Sequence, residues 1–193
     1  MNSLHSFSSI KRREIDKLYN ELNNELSKAG VNEELFVHGG AVMCDLGARE
    51  STMDIDAVYS NVQLMKSITK KIATKYGKDF DFVNNDIKPF LSDYGTYRLY
   101  KSLSNLKIFY AEQDYLFALK CKSCRTDSND IKDLIFLVKE LNVSSIERAE
   151  EIISSYFDLS EVSILYKDIL EDNWSGVADL LYWGDKYAKD FYV

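Results

Sequence analysis

Residues 35–60 read LFVHGGAVMCDLGARESTMDIDAVYS, and how this stretch is interpreted decides the fold class and the chemistry. Leu35–Val37 is a short apolar strand that runs into Gly39 and Gly40. An apolar helix over Ala41–Leu46 follows and is ended by Gly47. Arg49, Ser51 and Thr52 then lead into a second strand that carries Asp54-Ile55-Asp56. In an extended strand, side chains two apart share a face, so Asp54 and Asp56 point the same way. Two ionised carboxylates about 5 Å apart repel by about 3 kcal/mol at an effective dielectric of about 20, so a fold that holds them together needs a cation. A basic side chain such as Arg49 can supply that charge, and so can a metal. Hard oxygen ligands on a rigid strand suit magnesium, which takes one or two carboxylates together with phosphates and water. Gly39 and Gly40 bear on the choice. Glycines between a strand and a helix let backbone N–H groups approach a phosphate, although such a pair also makes an ordinary tight turn. Thirteen residues separate Gly40 from Asp54, which joins a phosphate-binding turn to a metal-binding strand within one short unit.

Composition narrows the classes. The chain has 193 residues, 46% of them hydrophobic and 13% aromatic, which is ample for a folded core. Its net charge of -7 disfavours a broad duplex-binding surface but leaves room for a local basic patch. No apolar run approaches the length of a membrane span and no signal-peptide core opens the chain, so no membrane partner and a cytoplasmic location are expected. Cys44, Cys121 and Cys124 fit free thiols. Cys121-x-x-Cys124 lacks the second ligand pair of a zinc knuckle, and His5 and His38 are the only histidines. That scarcity weakens any Ser-His or Cys-His hydrolase reading, and His38 reads as a strand-end residue bonded to backbone.

Along the rest of the chain, Ile10, Ile15, Leu18, Leu22 and Leu26 predict a helix over 8–29, capped by Ser8 or Ser9 and stopped by Gly30. A helix over 61–76 places Val62, Met65, Ile68 and Ile72 opposite Lys66, Lys70, Lys71 and Lys75, the densest positive surface in the sequence. Residues 79–85 are short, aromatic and polar, with Asp79 and Asp81 as unassigned acids. Thr96–Lys101 and Leu106–Tyr110 read as strands. Two helices between Tyr115 and Leu141 break at Thr126-Asp127-Ser128, and beyond Val143 the pattern is helical, near 161–171 and 174–191. The expected fold is α+β: a small mixed β-sheet flanked by helices over 1–143, with a helical C-terminal part over 144–193.

The glycine pair, Arg49, Ser51 or Thr52, and Asp54-x-Asp56 together resemble the signature of the nucleotidyltransferase superfamily, with its polymerase-beta-like fold. More narrowly, they are similar to the AbiE-type nucleotidyltransferase toxins of bacterial toxin–antitoxin systems. The resemblance implies a transferase that moves a nucleoside monophosphate from an NTP to an acceptor hydroxyl. Asp54 and Asp56 would bind Mg2+, and Gly39, Gly40, Arg49 and Ser51 or Thr52 would bind the nucleotide. It further maps a triphosphate-holding lysine onto Lys120 and an assisting aspartate onto Asp130, with Asp127 and Asp133 as competitors. RNA such as tRNA, or a protein, would be the acceptor, and an antitoxin the partner. The alternative is a catalytically silent chain of the same fold that binds nucleotide or a partner as a scaffold.

Overall fold

Strand β4 (Ile55–Val58) alternates buried Ile55 and Ala57 with half-buried Asp56 and Val58, the pattern of a strand with one face on the core. It lies inside an α+β structure, seen in a computed structural model that describes residues 9–124 and 128–175. The expected cap at Ser8, the break at Thr126-Asp127, and residues 176–191 of the expected last helix lie outside the described residues. The contacts divide the chain into two compact units. One holds the described residues up to Phe90 together with Tyr97–Ala111, and the other holds Leu91–Thr96 and the described residues from Glu112 onward.

In the first unit, helix α1 (Arg12–Ala29) buries Ile15, Leu18, Tyr19, Leu22 and Leu26, the stripe its sequence spacing predicts. Gly30 ends it at a φ of 66°, a left-handed position that suits glycine. Strand β2 (Glu33–Val37) is the centre of a five-stranded sheet ordered β5-β4-β2-β7-β6. It pairs antiparallel with β4 and parallel with β7 (Leu106–Ala111). β6 (Tyr97–Ser102) runs antiparallel to β7 on one edge, and β5 (Val83–Asn84) runs parallel to β4 on the other, with Asp56 opposite Asn84. Two further short strands, β1 (Ile10–Lys11) and β3 (Ser51–Thr52), pair with each other and tie the start of α1 to the Arg49–Thr52 loop. The Arg12 N–H donates to the Glu50 carbonyl there, at 3.1 Å.

Helix α2 (Gly39–Leu46) follows β2 and ends at Gly47, and α3 (Val62–Tyr76) follows β4. The lysines of α3 serve the fold in part: Lys75 pairs with Glu21 at 2.9 Å and Lys71 pairs with Glu25, so both reach across to α1. Exposed pairs of this kind contribute little each, roughly 0.2–1 kcal/mol.

The second unit is helical. Helix α4 (Gln113–Lys122) buries a continuous run, Tyr115–Leu119, along with Cys121, so it is wrapped by its neighbours rather than lying on a surface. α5 (Ser128–Glu140), α6 (Ile146–Ser154) and α7 (Leu165–Trp174) supply the rest of that core, including Ile131, Leu134, Leu137, Ile153 and Ile169. Ser145 caps α6 by accepting the Arg148 N–H at 3.2 Å. Among the described residues no helix is long and apolar enough to cross a membrane.

One buried charge holds the turn after β4. The Glu33 carboxylate, 5% exposed, accepts from the Ser60 N–H and hydroxyl at 3.1 and 2.8 Å and from the Asn61 N–H at 2.8 Å. Burial alone would raise this carboxyl, yet those donors outweigh it and hold it below the usual glutamate range. Glu33→Gln is expected to cost about 2 kcal/mol at pH 7, because an ionised acceptor of several donors becomes a neutral one. Since the folded-state value is depressed, the wild-type advantage is present above the ordinary glutamate value and lost as pH falls through the lowered one. Urea titrations of the two proteins should therefore draw together as pH falls below the ordinary glutamate value of about 4.3.

Candidate active site

The candidate site is built where α2 starts against β3 and β4. Gly39 opens α2 at a φ of 59°, and a Cβ placed on it would lie 2.6 Å from Asp56 Oδ2. A Cβ on Gly40 would run into the Thr52 hydroxyl and stand 3.5 Å from a terminal nitrogen of Arg49. Neither position has room for a side chain. The first turn of α2 therefore brings its backbone beside the Asp56 carboxylate, the Thr52 hydroxyl and the Arg49 guanidinium. The His38 side chain, at the N-cap, makes no capping hydrogen bond, and no acidic residue lies in that turn. The His38 N–H, just before it, donates to the Asp56 carbonyl at 2.8 Å and locks the helix start to β4.

Asp54 immediately precedes β4, two residues before Asp56, and its carboxylate reaches the side chain of Asn84, the residue opposite Asp56. Burial pushes its carboxyl up. Against that act a hydrogen bond from the Asn84 amide at 3.5 Å and the charge of Arg49, while Asp86 adds to the upward push. Arg49 thus serves Asp54 electrostatically and borders Gly40 as well.

The structure brings together Gly39, Gly40, Arg49, Thr52, Asp54 and Asp56 in the first unit. Of the two hydroxyl candidates, Thr52 faces Gly40, whereas Ser51 is the neighbouring residue of β3, in register with Lys11. His38 is fully buried, with Nε2 2.9 Å from the Tyr97 hydroxyl, and burial lowers it to about 4, so it is neutral near pH 7. Asp79 and Asp81 form a small exposed turn in which Asp79 accepts the Asp81 N–H at 3.2 Å.

Lys120 and Asp130 lie in the second unit and meet each other there. Lys120 Nζ is 2.6 Å from Asp130 Oδ1 and 2.8 Å from Asp133 Oδ2, and Asp133 is fully buried. The sequence offered Asp130 and Asp133 as competitors for one role, and the lysine binds both. Burial raises the Cys121 thiol and pushes Cys124 up to about 12, so both stay protonated at neutral pH and make poor metal ligands or nucleophiles.

Two features were missed in the sequence. Asn84 stands next to Asp56 across the β4–β5 pair, a contact made by a two-residue strand. A cavity of about 830 Å3 opens in the first unit, where the end of β1 and the start of α1 bring Lys11, Arg12 and Arg13 to the Arg49 loop, with Asp16, Asp45 and Tyr100 among its walls. The Lys11-Arg12-Arg13 run was the available signal.

Hard carboxylate oxygens at Asp54 and Asp56, beside a backbone cradle that a Cβ would fill, fit a magnesium ion carrying phosphate. Among the described residues no three His, Cys, Asp or Glu side chains are grouped to hold a metal by themselves, so water and phosphate oxygens would complete the shell. Comparison with family models, curated proteins and solved structures found no significant match to this chain.

Because burial raises Asp54, its ionised form weakens the fold: the contribution is fully favourable below the ordinary aspartate value and lost as pH rises through the raised one. Asp54→Asn should then raise the melting temperature at pH 7 by about 2–4 °C, the shift that about 1 kcal/mol produces in a chain of this size. The gain should vanish below about pH 4, where the wild-type carboxyl is protonated. Lys120→Ala, by contrast, removes the cation that Asp130 and the buried Asp133 share and should cost about 3–5 kcal/mol in a denaturant titration.

Proposed function

We propose that this protein is a magnesium-dependent nucleotidyltransferase that moves a nucleoside monophosphate from an NTP to an acceptor hydroxyl. The observation that carries the reading is the side-chain-free start of α2 set against Asp56, Thr52 and Arg49, with Asp54 two residues from Asp56. Short polar motifs recur by accident. A glycine pair closed against the second acid and the hydroxyl of the same motif is a much stronger coincidence.

Asp54 and Asp56 would hold the cation, which supplies Lewis-acid polarisation and charge neutralisation at the triphosphate. The N–H groups of Gly40 and Ala41 and the Thr52 hydroxyl donate to phosphate oxygens, and the α2 N-terminus adds its partial positive charge. The Arg49 guanidinium offsets the charge that develops as pyrophosphate departs. The acceptor oxygen forms a bond to the α-phosphorus, the bond from that phosphorus to pyrophosphate breaks, and the hydroxyl proton passes to solvent. Catalysis on this reading comes from positioning and electrostatics. Parts for Lys120 and Asp130, and for Ser51, rest on the resemblance to AbiE-type toxins, as do tRNA as acceptor and an antitoxin as partner, whereas a cytoplasmic setting rests on the sequence's lack of a membrane-length apolar run and of a signal-peptide core.

Among the described residues no three acids are grouped to hold a metal, and the second reading is a silent scaffold that binds nucleotide without turnover. Incubation with α-labelled and γ-labelled NTPs, magnesium, total RNA, lysate protein and an aminoglycoside separates the two. Transfer of the α-label but not the γ-label is expected, to one acceptor class, and Asp56→Ala should reduce it by at least about 100-fold. Nucleotide binding with no label on any acceptor would establish the scaffold instead.

A further inference from the structure

The acid pair has a neighbour whose role no motif announces. Asn84 stands opposite Asp56 in the parallel β4–β5 register, and its Nδ2 lies 3.5 Å from Asp54 Oδ2. Its other end is committed, because Oδ1 accepts the Asp86 N–H at 3.0 Å. A side-chain amide has one donating and one accepting end, so with Oδ1 on a backbone N–H the NH2 group must face the carboxylate, which only accepts. The orientation of Asn84 is thus set from one side by the chain and satisfied on the other by Asp54.

We propose that Asn84 is a positioning residue for Asp54 and that, as a neutral amide beside the acid pair, it restricts the site to one divalent cation. The inference rests on the reading of Asp54 and Asp56 as metal ligands. A hydrogen bond to Oδ2, beside the one this carboxylate accepts from its own backbone N–H, fixes the carboxylate plane, as outer partners do for metal ligands generally. Charge sets the number of cations. Two carboxylates balance one divalent ion, whereas a pair of ions about 3.5–4 Å apart needs further anionic oxygens to bridge them. The position next to Asp56 on the adjoining strand is where such an oxygen would come from, and an amide occupies it. Asp86 is near enough to act on Asp54 through space, yet its side chain is exposed and its N–H is what holds Asn84.

Mn2+ is the probe, counted by the electron paramagnetic resonance of the free ion during titration of the full chain, with no nucleotide present. Wild type should bind one Mn2+ per chain. Asn84→Ala should bind it at least about tenfold more weakly, the usual cost of losing an outer partner of a ligand. Its melting temperature without metal should stay close to that of wild type. The near-isosteric Asn84→Asp, which keeps the volume of the site, should take up two Mn2+ per chain. Two ions on wild type, wild-type affinity in Asn84→Ala, or one ion in Asn84→Asp would each overturn the proposal. The site reading fails in a different way: wild type would bind no Mn2+, or Asp56→Ala would bind it as well as wild type does.

Discussion

The candidate site depends on the absence of side chains at residues 39 and 40. A Cβ on the first residue of α2 would collide with the Asp56 carboxylate. Gly39 removes the atom and also takes up the positive φ that lets the chain turn sharply out of β2. The result is electrostatic as much as steric. The start of a helix carries roughly half a positive charge, and here that charge lies beside the Asp56 carboxylate. Together with Arg49, it provides part of the compensation that two neighbouring carboxylates require, and a phosphate-bearing cation is suited to provide the rest.

Strand β4 keeps this geometry because it is pinned at both ends. At its start Asp54 and Ile55 are held from β5, where the Ile55 N–H donates to the Phe82 carbonyl at 2.7 Å. At its end Glu33 gathers three donors from Ser60 and Asn61 and fixes the entry to α3, whose cap Asn61 also accepts the Leu64 N–H. A slip of β4 by one residue would send Asp54 and Asp56 into the core and bring Ile55 and Ala57 out. Burial of the apolar pair and anchoring of the turn therefore select the same register as the acids.

Much of the α+β fold was legible in the sequence because long periodic segments announce themselves: the stripe of α1, the glycine stops at Gly30 and Gly47, and the alternation of β7. What stayed hidden was made by pairs of residues. β1, β3 and β5 are two residues each, too short to show a period, yet they place Thr52 at Gly40, bring Lys11-Arg12-Arg13 to the Arg49 loop and set Asn84 beside Asp56. Ser51 and Thr52 could not be ranked beforehand, since choosing between neighbours on a strand requires knowing which face is inward. The α3 lysines read as a free basic face because the acids they meet, Glu21 and Glu25, are some 50 residues away in the chain.

Lys120 shows where resemblance and energetics pull apart. A lysine that serves a triphosphate gains most when its ammonium is otherwise uncompensated, whereas Lys120 is already shared by Asp130 and the fully buried Asp133. Withdrawing it from both would leave a buried carboxylate without its cation, a penalty of about 3–5 kcal/mol that compares with the whole gain from one charged phosphate contact. The arrangement instead favours a lysine that keeps Asp133 and exchanges only Asp130, the more exposed of its two partners, because that carboxylate can recover solvation when released. Any role for Lys120 in binding an anion therefore also involves Asp130 and leaves Asp133 as the fixed element. That division could not be read from the spacing of the three residues along the chain.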